Sequence, residues 1–98
     1  MSFDEFLQSV GEGVAPGAEW SGALRGLWHE ARGDWDGAHR GVQEDQSREA
    51  AWVHAYLHRK EGDLGNAGYW YARAGRRPPG RGADLRAEWE EIARALVR

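Results

Sequence analysis

Residues 61–79 read EGDLGNAGYWYARAGRRPP. Gly62-Asp63 opens the stretch and Pro78-Pro79 closes it. Between them Leu64, Ala67, Tyr71 and Ala74 recur at helical spacing. An Asp ahead of such a stripe is a helix start signal, Gly75 is a stop signal, and tandem prolines cannot continue a helix. The stretch therefore predicts a turn followed by one amphipathic helix. Leu64 and Tyr71 are expected to plug the seam to the preceding helix, with Ala67 small so that the two can approach. Tyr69 and Trp70 point away from that seam and have no assigned role.

The same opening occurs upstream as Gly33-Asp34, 29 residues before Gly62-Asp63. At that offset His29 aligns with His58, Ala38 with Ala67, Leu24 with Val53 and Leu27 with Tyr56. Two helix–turn–helix units emerge, 18–44 and 46–75. A two-helix unit repeating at about 30 residues is the pattern of an α-solenoid. Outside the units, Ser2 and Glu5 form a capping box ahead of Phe3, Phe6, Leu7 and Val10, a helix within 1–13. Pro16-Gly17 punctuates the start of the next helix, with Ala23, Leu24, Leu27, Trp28 and Ala31 as its stripe. Trp35, Ala38 and Val42 share a face behind Asp34, and the helix that starts near Asp45 or Ser47 and runs to Gly62 is apolar almost all round. Leu85, Trp89, Ile92, Ala93 and Leu96 mark a last helix within 83–98. No segment alternates as a strand does. The expectation is one all-α domain over 1–98, about six helices in antiparallel pairs, with the first and last as caps.

Composition narrows the function. The chain has 98 residues, a formal net charge of −3, 41% hydrophobic and 30% charged residues, and no cysteine. That excludes disulfides and thiolate chemistry and argues against a nucleic-acid binder, which would carry a dominant basic face. No stretch approaches the roughly 20 apolar residues of a membrane span, and no secretory leader pattern is visible. A cytoplasmic protein without nucleic-acid or membrane partners is expected. Serine occurs only at positions 2, 9, 21 and 47, none inside a Gly-x-Ser-x-Gly elbow. Six tryptophans are many for this length.

The second unit resembles a tetratricopeptide repeat. Counting from Gly62, alanine stands five residues on (Ala67), an aromatic nine on (Tyr71), a small residue twelve on (Ala74) and proline seventeen on (Pro79), with Ala55 seven before. Ala67 to Ala74 also resembles the Ala-x-x-Trp-Tyr-x-x-Ala of Sel-type repeats. The first unit keeps Gly33, Asp34 and Ala38 and has Val42 at the aromatic position. The resemblance implies a short superhelix whose concave groove is lined by the first helix of each pair. Here that face would be Trp20, Ala23, Leu27 and Glu30, then Glu49, Trp52, Tyr56, Arg59 and Lys60, either left open or filled by the first or last helix folding over it. Such a groove binds a protein or peptide, or a second copy of the chain as a homodimer, without catalysis or cofactor.

Two further clusters carry chemistry on paper. His54 and His58 lie four apart on one helix, and His29, the repeat mate of His58, could join them in a metal-dependent or acid–base site. The Glu of a His-Glu-x-x-His motif is absent, and histidines at equivalent repeat positions point to packing, so no metal is expected. Arg73, Arg76, Arg77 and Arg81, continued by Arg86, could hold an anion. A solvated turn is the expected role, with cations favoured at a helix C-terminus.

Overall fold

A computed structural model describes residues 1–98 except 15, 16, 18, 81 and 98, so the Pro16 signal and Arg81 lie outside the described residues. Among those described, six helices and no strands are found: α1 Phe3–Glu12, α2 Gly22–Ala31, α3 Trp35–Gln43, α4 Arg48–Glu61, α5 Leu64–Ala74 and α6 Leu85–Leu96. Every one starts at a Ser or Asp whose side chain accepts a backbone N–H from the first turn. The caps are Ser2, Ser21, Asp34, Ser47, Asp63 and Asp84. Each such cap is worth about 1 kcal/mol. Three of the four serines are thus caps, and the fourth, Ser9, accepts from Trp28 Nε1 at 3.1 Å, tying α1 to α2.

The two interhelical turns have the same bonding. Asp34 N donates to His29 O at 2.9 Å, and Asp63 N donates to His58 O at 2.9 Å. Gly33 and Gly62 take φ of +82° and +89°, a left-handed conformation that glycine adopts without penalty. The α2–α3 pair is drawn tight by small residues: a Cβ on Gly26 would lie 2.7 Å from Val42 Cγ1 and 3.1 Å from Ala38 O.

α4 is the centre, with residues 50–58 all buried between α2, α3, α5 and α6. On α5, Ala67, Tyr71 and Ala74 face inward as expected. Leu64 does not plug the seam: it is the first residue of the helix, at the open edge of the hairpin, and is 68% exposed. α6 crosses onto α2 and α4. Trp89 donates to Leu27 O at 3.4 Å and stacks on Phe6 at 5.8 Å, while Ile92 and Ala93 are fully buried. No described helix is long and apolar enough to cross a membrane.

Candidate functional site

The concave face, which the sequence leaves either open or filled by a terminal helix, is filled from within. Leu27, Trp52 and Tyr56 are 0%, 4% and 3% exposed, and Trp20 is half-buried against Phe6. α1 covers Trp20 through Phe6, and α6 covers the rest, with Trp89 against Leu27 and Glu88 against Trp52. The Glu88 side chain is the hub. Its carboxylate accepts from Arg59 Nη1 at 2.8 Å, Tyr71 Oη at 2.6 Å and Trp52 Nε1 at 3.4 Å. A buried carboxylate is tolerable only when its charge is paired and its lone pairs are used, and here both conditions hold. Burial, then the bond to Glu88, pushes the Tyr71 phenol well above its usual range. Burial, then the Glu30 and Glu88 carboxylates, does the same to Tyr56. Glu30 is buried and pairs with Lys60, and Arg59 also donates to the Ala83 carbonyl. Of the expected partner-binding residues, only Glu49 and Lys60 are exposed. A homodimer packed on Trp52 and Tyr56 loses its surface.

The arginine run does not converge on an anion. Arg73 sits over Trp70 at 5.3 Å and donates to Tyr69 Oη at 3.2 Å. Arg76 stacks on Trp52 at 3.3 Å and faces Glu91 at 3.9 Å. Arg77 is exposed, and Arg86 pairs with Glu90 at 3.6 Å.

The histidines do converge, in a different set from that expected. His29 stays apart, its Nδ1 3.6 Å from Asp34 Oδ2. His39 of α3 takes its place beside His54 and His58 of α4, and one ligand nitrogen from each ring lies within 4.8 Å of the others. His39 Nε2 and His54 Nε2 are 2.9 Å apart. Trp35 stacks on His39 at 4.8 Å and Trp70 on His54 at 3.8 Å, which gives Trp70 the role it lacked. Burial, then the neighbouring His39 and His58, pulls His54 down to about 4. Burial, then His58, lowers His39 as well. The readable signal for His39 was its position four residues after Trp35, on the same helical face. A second group, His58, Glu61 and Asp63, adjoins the first.

Several clefts open at the surface of the described residues, among them two of about 440 Å³ or more. One of about 580 Å³ between α2 and α3 carries mixed charges, among them Arg25, Arg40, Glu44 and Asp45. The other, about 440 Å³, lies between α5 and a wall that includes Pro78, Pro79, Gly82, Ala83 and Leu85, and is mainly apolar. Leu64, Gly68 and Tyr71 form one wall, and Pro78, Pro79 and Leu85 the other. Comparison of the chain with protein-family models, curated proteins and solved structures yields no match.

Proposed function

We propose that the protein is a small, non-catalytic helical scaffold of tetratricopeptide-like kind that binds a peptide segment of another protein, with a cytoplasmic location. The docking site in this reading is the α5 cleft, not the concave face. One observation carries it: a mainly apolar cleft of about 440 Å³ is rimmed by Leu64, which is 68% exposed. Exposed apolar surface gathered around a concavity is what a recognition site requires, because desolvating it drives binding.

Two details support the reading. Gly68 lies inside a helix, where glycine costs about 1 kcal/mol relative to alanine, yet a Cβ there would meet nothing within 4 Å. Internal packing does not ask for glycine there, and its bare backbone lets a bound chain approach closely. Pro78 and Pro79 stiffen the opposite wall by fixing φ. The fitting ligand is an extended segment presenting an aliphatic or aromatic side chain.

Peptides selected from a displayed library on the intact protein test this. Leu64→Asp should weaken the selected peptides at least tenfold while leaving the melting temperature unchanged. Selected peptides that bind Leu64→Asp and Gly68→Arg as well as wild type would remove the cleft as the site.

A further inference from the structure

We propose that His39, His54 and His58 form a binding site for one divalent transition metal of the zinc class. The site lies on the α3–α4 side, independent of the peptide cleft. His54 and His58 are one turn apart on α4, their rings stacked with centroids 5.0 Å apart. His39 approaches from α3 and meets both edge-on, at 4.6 Å and 5.5 Å. Three rings from two helices thus turn nitrogens toward one point.

The spacing suits a metal after small rotations. Zn–N bonds of about 2.0–2.1 Å in a tetrahedron put ligand nitrogens about 3.3 Å apart. The His39–His54 pair at 2.9 Å must open by a few tenths of an ångström, and the set as a whole, within 4.8 Å, must tighten.

Orientation is already in place. His58 Nδ1 lies 2.6 Å from Glu61 Oε1, so Nδ1–H donates to the carboxylate and Nε2 is left as the basic nitrogen. A carboxylate behind a ligating imidazole fixes its tautomer and raises its donor strength. The stacked Trp35 and Trp70 hold the other two rings in plane, which lowers the entropy lost when a metal is bound.

Two Nε2 atoms at 2.9 Å share a single proton, so one of the pair must present a lone pair to the other. An imidazole ligates a metal through the lone pair of its neutral form. Three neutral nitrogens suit zinc, cobalt, nickel or copper and not calcium or magnesium, which take oxygen. Within the triad no carboxylate is a fourth ligand. His39 is only half-buried, so a water can fill that position from its side.

The test uses the full chain without a purification tag, stripped with chelator and titrated calorimetrically with Zn²⁺. One equivalent should bind. Co²⁺ should give the intense visible bands of a tetrahedral site, and Cu²⁺ should quench tryptophan fluorescence through Trp35 and Trp70. His39→Ala should weaken zinc at least 100-fold, Glu61→Gln should weaken it about 10–100-fold, and His29→Ala should have no effect. The proposal is overturned if His39→Ala binds zinc as tightly as wild type, or if bound Co²⁺ shows only the pale spectrum of an octahedral ion. Should His39→Ala lose its helical circular dichroism, the wild-type cobalt spectrum decides alone.

Discussion

Three donors meet at the carboxylate of Glu88, and they come from two other helices: Trp52 and Arg59 from α4, Tyr71 from α5. Removing the acceptor leaves the Arg59 charge, whose side chain is 12% exposed, without its partner. Breaking a buried pair in this way costs about 3–5 kcal/mol. Tyr71→Phe removes one donor and keeps the ion pair, for about 1–2 kcal/mol. Urea melts should therefore rank Glu88→Ala far below Tyr71→Phe, and equal midpoints would mean that Glu88 is not the joint between these helices. His54 gives a separate expectation for the metal-stripped protein. Its pKa is about 4 in the fold, against about 6.5 in an unfolded chain. Between those values the unfolded chain binds the proton and the folded one does not, so stability is full above pH 6.5 and falls as pH is lowered toward 4. The urea midpoint should drop over that window, and the drop should be shallower in His54→Asn.

At the scale of helices, two glycines that look alike in sequence have opposite roles. Gly26 is where α2 meets α3, and the methyl of alanine would press within 2.7 Å of Val42 Cγ1. Overpacking of that kind costs about 1–3 kcal/mol. Gly68 has open space around its Cβ, so Gly68→Ala should gain up to about 1 kcal/mol from helix propensity. Thermal melts should move in opposite directions, by roughly 4–8 °C per kcal/mol for a domain of this size. A loss for Gly68→Ala would show that α5 needs the bare backbone for its own packing. Most of the elements were legible in the sequence because their signals are local. All six caps are Ser or Asp, and the stripe Ala67, Tyr71 and Ala74 faces inward. Leu64 was misread for a tertiary reason, since periodicity cannot tell that the first residue of a helix stands at the rim of a hairpin.

Over the whole molecule, the sequence could not tell a groove left open from one closed by the chain's own last helix. Glu88 lies at the spacing of the α6 stripe, three after Leu85 and four before Ile92, but its partners Trp52, Arg59 and Tyr71 are supplied only by the crossing of α6 over α4. His39 was hidden in the same way: the histidine triad joins α3 to α4, whereas the repeat offset pointed to His29. What α6 does to the groove can be tested directly. Trp52 is 4% exposed, lies under Arg76 at 3.3 Å, and donates its indole N–H to Glu88. Trp52→Glu would remove that donor and set a second carboxylate beside Glu88 at a mostly buried position under Arg76. Like charges held close in a poorly solvated place repel strongly, and the lost indole leaves a cavity as well. If the aromatic face were an open dimer contact, this substitution would leave a folded, soluble monomer. With α6 seated on it, Trp52→Glu should instead lose helical circular dichroism or melt at least ten degrees lower, an effect of more than about 1 kcal/mol on the scale for such a domain. Leu64→Asp, at a site already in water, is the control and should melt with wild type. A Trp52→Glu protein that keeps its melting temperature and changes only its mass in light scattering would show that α6 does not close the groove in solution.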